Sequence, residues 1–402
     1  MSGVLNGVKV VEVSMWAYVP SAGAALAEWG ADVIKIEGPE GDPIRSLVVG
    51  GVQSDGPAYT WEVWNRNKKG IALDLTQPEA QAVVHELVAD ADVFLTSILP
   101  GSRSKLGIDA ETIRSKNPSI IYAAGTGAGP QGPEAGKGGY DSISFWSRGG
   151  VSSGVTPDGH DPIGMPSGAF GDSLSGIALA GGIAAALVRK SRTGEGCLVE
   201  GALLGTAMWA MQMAIVGAHQ AGLAEMPKSG SRQNAFNPLV NNYPTADGRW
   251  IALCMLQPDA YWEGFCKAIG REDLLGDPRF ADSASRASNV KEVVAELDKT
   301  FLSRPLDHWR KALSTQRGQW DVIQRAGDLA VDPQALANGY VQTVHYGGGH
   351  TLPLVSTPIQ FDRSLPTLAP APAFSGDADE VLASIGWDEE RIIQAKISGA
   401  VV

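Results

Sequence analysis

The chain has 402 residues, 44% of them hydrophobic and 19% charged, and a formal net charge of −12. That length can bury the cores of two domains, and the acidic balance excludes non-specific binding to nucleic acid or anionic membranes. Three scattered cysteines, Cys197, Cys254 and Cys266, form no CxxC pair, so neither a disulfide framework nor a zinc site is expected.

The N-terminus has no charged segment followed by an apolar run, so no signal peptide is expected there. The longest apolar stretch, residues 177–188, reads as too short and too rich in Gly and Ala to span a bilayer. A reduced, cytoplasmic, enzyme-sized protein is the expectation, with no nucleic-acid or membrane partner.

In chain order, residues 8–13 form a β-branched run that predicts a buried strand. Pro20 opens a helix over 22–29 that Gly30 stops, and 32–37 is the next strand, which makes a βαβ unit. Residues 38–64 read as a long loop. Strands are then predicted over 71–75, 93–96 and 119–124, and helices over 78–89, with Thr76 as its cap, and 110–116. This alternation predicts a doubly wound, Rossmann-like α/β domain, whose ligands bind at the carboxyl ends of the strands. Those ends carry residues 14–18, 38–45, 97–101 and 125–129. Residues 125–165 are Gly-rich and predict a site wall. Helices follow over 173–190 and, as one long apolar element, over 198–221. From Arg249 the pattern becomes a strand, 250–255, and three helices, 259–269, 289–302 and 306–314, which predicts a smaller α+β domain. Beyond it come a short helix over 333–338, strands over 340–345 and 352–354, and helices over 377–385 and 389–395. The expected organisation is a large α/β domain over 1–205, a small domain over 225–325, and a segment 345–402 that returns to the large domain.

Several motifs fail on their context. Gly127-Ala-Gly-Pro-Gln-Gly132 matches GxGxxG, but Pro130 lies inside it and residues 133–139 open no helix for a phosphate. Gly150-Val-Ser-Ser-Gly154 matches GxSxG without the strand before and helix after that a nucleophile elbow needs. No P-loop is present, and the six histidines do not cluster, so no metal is expected. A nucleophilic carboxylate is the chemistry left. Asp172 ends the Gly-rich run Pro166-Ser-Gly-Ala-Phe-Gly and stands at a helix N-cap or first turn, where free N–H groups and the helix dipole favour an ionised side chain. Read locally, it is a structural cap or a catalyst.

The chain resembles the class III CoA-transferases, the group of formyl-CoA transferase, carnitine CoA-transferase and α-methylacyl-CoA racemase. The resemblance rests on Leu5-Asn-Gly-Val-Lys-Val-Val-Glu-Val-Ser14, Leu26-Ala-Glu-Trp-Gly-Ala-Asp-Val-Ile-Lys-Ile-Glu37, Asn65-Arg-Asn-Lys-Lys-Gly-Ile-Ala-Leu-Asp74, Gly139-Tyr-Asp141 and Gly171-Asp-Ser173, in that order. It implies an acyl-CoA:carboxylate CoA-transferase in which Asp172 forms a mixed anhydride and then an aspartyl-CoA thioester. It further implies coenzyme A as the thioester substrate, held by Trp16, Tyr18, Leu73, Ser97, Ile98 and Lys105 with Lys137 nearby; Arg45 adds to the local positive charge that ADP phosphates need. An acyl-CoA donor, a free carboxylic acid acceptor and an interlocked homodimer are implied as partners. The alternatives are a racemase or epimerase and a CoA-binding protein without catalysis. Racemase members carry His where this chain has Tyr140, so a two-base proton exchange lacks one base. Ala17 replaces a polar side chain of formyl-CoA transferase, and Trp16 and Tyr18 are bulkier than usual, so the thioester end is expected to be reshaped.

Overall fold

A computed structural model describes residues 3–52, 55–228 and 231–402. Contacts divide the chain into two compact units. The first contains residues 1–156, 161–226 and 332–402, and the second residues 157–160 and 227–331.

The first unit opens with β1 (Lys9–Val13), α1 (Tyr18–Glu28), β2 (Asp32–Glu37), α2 (Tyr59–Asn65), β3 (Lys69–Ala72), α3 (Pro78–Ala89), β4 (Val93–Thr96), α4 (Pro100–Arg103), α5 (Ala110–Lys116) and β5 (Ile121–Thr126). It continues with α6 (Val151–Val155), α7 (Phe170–Thr193), β6 (Leu198–Ala202), α8 (Leu203–Ala210) and α9 (Gln212–Ala221). The six strands form one parallel sheet in the order β3-β2-β1-β4-β5-β6. Sequential strands run outward from β1 on one side and from β4 on the other, so the order reverses between β1 and β4. Val11, Val13, Ile36 and Phe94 turn to a face covered by α3, α5 and the C-terminal helices. Val10, Val33, Leu95 and Ile121 turn to the face covered by α1 and α7. The alternation of these neighbours in sequence is the period of two that a strand imposes.

Several expectations change here. Residues 198–221 are not one helix. Leu198–Ala202 pair in parallel with Tyr122–Thr126 as the edge strand β6, and two shorter helices follow. The loop predicted over 38–64 contains α2. Helix α1 begins at Tyr18, ahead of Pro20, and Thr76 binds Asp74 rather than capping α3. Helix α7 is longer than its apolar run. It has 24 residues and a mean hydropathy of 1.5 over its most apolar window, so by length and composition it could cross a membrane. In the fold it lies along α1. Gly176 makes that approach possible, because a Cβ there would stand 1.6 Å from Ser21 Oγ and 2.8 Å from the Tyr18 carbonyl oxygen.

The second unit holds an antiparallel sheet of β7 (Val240–Pro244), β8 (Trp250–Cys254) and β9 (Trp320–Val322). Helices α10 (Pro258–Ala268), α11 (Ser283–Ser288), α12 (Val290–Phe301), α13 (Leu306–Leu313) and α14 (Ala326–Leu329) accompany it. Tyr243, Phe265, Phe301 and Trp309 fill its core.

The chain re-enters the first unit through α15 (Pro333–Ala337), the hairpin β10 (Val341–His345) and β11 (Thr351–Val355), α16 (Ala378–Ser384) and α17 (Glu389–Ile397). Asp377 Oδ2 accepts from the Gly70 N–H at 2.8 Å, and the Val402 N–H donates to the Ala72 carbonyl at 3.1 Å. These bonds cover the edge of β3, which would otherwise be open to pairing with another chain.

Candidate active site

The end of α7 is capped from a distance. The residue at its N-cap position, Ala169, has a left-handed φ of 58° and no side-chain oxygen. Asp141, after the Gly138-Gly139-Tyr140 turn, supplies the acceptor instead. Its Oδ2 receives the N–H of Gly171 at 2.8 Å and that of Asp172 at 3.4 Å, satisfying two donors that a helix start leaves free. Asp141 is 5% exposed, and its Oδ1 has no hydrogen-bond partner. Gly171 has to be glycine, since a Cβ would lie 2.2 Å from the Phe145 ring and 2.5 Å from Asp141 Oδ1.

Asp172 is therefore in the first turn of α7 and is not its cap. Its carbonyl oxygen accepts from Ser21 Oγ at 3.3 Å, and the same hydroxyl donates to the Tyr18 carbonyl at 2.9 Å, so α1 holds this end of α7. The expectation that the helix end keeps Asp172 ionised is corrected. Burial, and secondly the charge of Asp141, push its carboxyl up to about 7. Asp141 occupies the N–H groups that would have favoured the anion, and its own carboxyl is raised by burial.

Beside Asp172 opens a cavity of about 340 Å³. Its walls come from the carboxyl ends of β1 (Met15, Trp16, Tyr18), β4 (Ser97, Ile98, Leu99) and β5 (Gly125, Thr126, Gly127), with Gly139 and Tyr140 opposite. This is where the strand order reverses, the usual ligand position in an open α/β sheet. Asp172 is its one carboxylate among the described residues, and no Lys, Arg or His lines it. A second cavity of about 190 Å³ shares Met15 and Ile98 and runs over the ends of β2 and β3, past Gly38, Leu73 and Leu106.

The β1–α1 turn is held from below. Trp16 adopts a φ of +69°, which costs a bulky residue energy, and its N–H donates to Asp42 Oδ1 at 3.1 Å. Asp42 Oδ2 receives Lys35 Nζ at 3.0 Å, and Lys35 also donates to the Ser14 carbonyl at 2.7 Å. Glu12 and Lys68 join them 2.9 Å apart, and all four are buried. Burial lowers the Lys68 ammonium to about 8. Above this base the Trp16 and Tyr140 rings meet edge to face, with centroids 5.7 Å apart.

Of the residues expected at the site, Trp16, Tyr18, Ser97 and Ile98 surround the cavity with Asp172, and Leu73 lines the second cavity with Ile98. Ser97 Oγ accepts the Met15 N–H at 2.9 Å, which ties the ends of β4 and β1 together. Arg45 lines neither cavity. Its guanidinium lies on Glu37 at 2.8 and 2.7 Å and stacks over the Trp61 ring at 3.5 Å. Lys105 and Lys137 are exposed and also line neither, and Lys137 faces Glu134 at 3.7 Å. Met15 and Gly127 lie in strand ends that the sequence pointed to, and Tyr140 and Asp141 in the Gly139-Tyr-Asp141 motif, but none of the four was expected as a binding or catalytic residue. Gly127 stands in the rejected GxGxxG run and serves as cavity wall, with no helix opening behind it. Ser152 of the GxSxG run lies inside α6 and donates to the Ile163 carbonyl at 3.0 Å. No group of three or more His, Cys, Asp or Glu that could hold a metal occurs among the described residues.

Residues 5–378 match the pattern of CoA-transferase family III. The chain is 38% identical over 402 residues to (R)-2-hydroxy-4-methylpentanoate CoA-transferase of Clostridioides difficile, with 99% of each chain covered. It is 32% identical over 395 residues to cinnamoyl-CoA:phenyllactate CoA-transferase of Clostridium sporogenes, covering 97% of this chain and 95% of that one. Among solved structures, a CAIB/BAIF family protein from Brucella suis matches with a TM-score of 0.84 at 27% identity, over 96% of this chain and 100% of that one.

Proposed function

The chain belongs to CoA-transferase family III, and on that premise we propose that Asp172 carries the transfer between an acyl-CoA and a free monocarboxylic acid with an apolar body. The protein is a CoA-transferase, so its substrates are a CoA thioester and a carboxylate. The observation that carries the role of Asp172 is its position as the one carboxylate on a cavity at the strand ends.

The ionised carboxylate attacks the thioester carbonyl, the C–S bond breaks, and CoA leaves as thiolate. The mixed anhydride on Asp172 is then attacked at the aspartyl carbonyl by that thiolate. The donor acid departs as its carboxylate, and an aspartyl-CoA thioester remains. The acceptor carboxylate repeats these steps in reverse, leaves as its own CoA thioester and regenerates Asp172. No proton or electron is consumed overall. The apolar wall of Met15, Trp16, Ile98 and Leu99 limits water at the anhydride.

The lining also supports the substrate class. An acid with a second carboxylate would bury that charge without a cation to meet it. An aliphatic or aryl side chain finds Met15, Trp16, Ile98, Leu99 and Tyr140. The named substrates of the two relatives, a branched 2-hydroxy acid and an aryl 2-hydroxy acid, fit the same description. For the rest of coenzyme A we propose the Rossmann-like crevice along β1, β2 and β3, with Leu73 and Ile98 as walls. Lys105 is an exposed cation that adjoins Leu106 of the second cavity in sequence. Free cysteines at Cys197, Cys254 and Cys266 support a reducing, cytoplasmic location.

We also propose a homodimer, interlocked as the family resemblance implies. Leu174, Ala178, Gly181, Ala185 and Val188 are exposed along one face of α7, and Trp209, Met213 and Val216 are exposed on α8 and α9. Light scattering is expected to give twice 42.1 kDa; a mass of one chain overturns the dimer.

Hydroxylamine added during turnover is expected to convert the Asp172 side chain to a hydroxamate, seen by mass spectrometry of its peptide, and Asp172→Ala is expected to abolish transfer while still binding CoA. Wild-type turnover in that variant overturns the assignment. Loss of α-deuterium from an acyl-CoA without any acceptor acid would favour a racemase instead, and tight CoA binding with no exchange across a panel of acids would favour a non-catalytic binder.

A further inference from the structure

The chemistry above gives Asp141 no step, yet its geometry is that of a residue built for Asp172. It comes from a different segment, it is buried, and one of its oxygens accepts two of the free N–H groups, those of Gly171 and Asp172, in the first turn of the nucleophile's own helix. The other oxygen is buried without a partner, a costly arrangement for a group that merely terminates a helix. The usual side-chain cap is missing from position 169, whose backbone is left-handed rather than extended. Ala169 stands there instead, and Gly171 is kept small against both Phe145 and Asp141 Oδ1.

We propose that Asp141 is a positioning residue for the nucleophile: it fixes Asp172 at the cavity wall by capping α7 with a charged oxygen, and as a second negative charge it sets the pH range in which Asp172 can attack. This rests on Asp172 being the nucleophile. The two effects have one origin. Any cap, neutral or charged, uses those N–H groups, and a charged cap also adds a like charge beside Asp172. The consequence is a nucleophile that gives up its proton less readily and attacks more strongly once ionised. The direction of the Asp172 shift agrees, since burial and then the charge of Asp141 raise it.

The other ionisable groups here do not supply a counter-charge. Tyr18, on α1, is buried, and burial and the charge of Asp172 both raise its phenol. Tyr140 adjoins Asp141 and packs on Trp16. Arg148, at the end of the 142–147 turn, is paired with Glu134.

Asp141→Asn keeps an acceptor oxygen for Gly171 and removes the charge. Its acid limb of kcat/KM for CoA release from the donor thioester is expected to move to lower pH by roughly one pH unit, with KM for CoA little changed. Asp141→Ala removes the acceptor as well, and a loss of about a hundredfold in kcat is expected, again with KM little changed. Superimposable pH profiles for wild type and Asp141→Asn overturn the proposal. Should Asp141→Asn fail to fold, carboxyl-labelled aspartate followed by NMR in wild type and Asp172→Asn gives the same answer. The Asp141 resonance is expected to titrate at lower pH once Asp172 is neutral, and an unchanged titration overturns the coupling. Hydroxylamine trapping at Asp172 in the wild type tests the underlying reading separately: its failure removes the nucleophile while the NMR coupling stands or falls by itself.

Discussion

Asp141 and Asp172 share one helix end: Asp141 Oδ2 accepts the Asp172 N–H at 3.4 Å, so two carboxyl groups lie over the same first turn of α7. Burial, and secondly repulsion from Asp141, outweigh the helix dipole at Asp172.

In the proposed first half-reaction Asp172 attacks as its anion. The rate, measured as CoA release from the donor thioester, is expected to rise with pH through about 7, more than two pH units above the range of an ordinary aspartate. A rate that is flat from pH 5 upward contradicts the elevated carboxyl.

Stability carries the opposite sign. A carboxyl raised in the folded state favours folding when protonated. That contribution is complete below the ordinary value of 3.8 and is lost as pH rises through about 7. Asp172→Asn, which stays neutral, is therefore expected to be more stable than wild type at pH 8, by about 2 kcal/mol after allowance for solvent screening. The gain should vanish near pH 4. Urea midpoints at the two pH values measure it, and equal midpoints at pH 8 refute it.

Gly171→Ala places a methyl against the Phe145 ring and Asp141 Oδ1. The start of α7 has to move away from Asp141, and a tenfold to hundredfold fall in kcat is expected, with a stability loss of about 1–3 kcal/mol. Thermal unfolding and initial rates on the same preparation separate the two effects. Unchanged kcat would mean that the Gly171–Asp141 approach is irrelevant to the chemistry.

Trp16→Ala opens the cavity wall and removes the ring packed on Tyr140. Larger aryl acids are expected to gain as acceptors relative to small branched acids by about tenfold in kcat/KM, on the scale of what apolar pocket contacts discriminate. Competition between paired acids, read by mass spectrometry of the CoA products, gives the ratio directly. An unchanged ratio removes Trp16 from specificity.

Lys35→Met leaves Glu12 and Asp42 buried without their shared ammonium. A loss of about 3–5 kcal/mol is expected, visible in the urea midpoint; a shift below about 1 kcal/mol would place the charges in contact with water.

Much of this architecture is readable from local pattern. Strands β2 and β4 and helices α3 and α5 have the bounds their periodicity predicts. Strand β6 was hidden, because Leu198-Val-Glu-Gly-Ala202 runs straight into an apolar helical stretch and becomes a strand only by pairing with β5, some 75 residues away. Helix α2 was hidden because it has seven residues and no side-chain cap. At the site, the strand ends carrying Trp16, Ser97 and Gly125 were legible from the alternation of elements. The cap was not. Capping patterns are read over three or four residues, and here the acceptor is 30 residues from the Gly171 donor.

The buried base under Trp16 and the capped end of α7 are joined through α1, since Lys68 donates to the Pro20 carbonyl at 2.9 Å and the next residue, Ser21, donates to the Asp172 carbonyl. Lys35 and Asp42 carry the wall proposed to meet the acyl group, and Asp141, Gly171 and Ser21 hold the carboxyl proposed to react with it. On the proposed reading, a change on this wall alters which acid is taken, and a change at Trp16 also reaches Tyr140, the neighbour of the residue that caps α7.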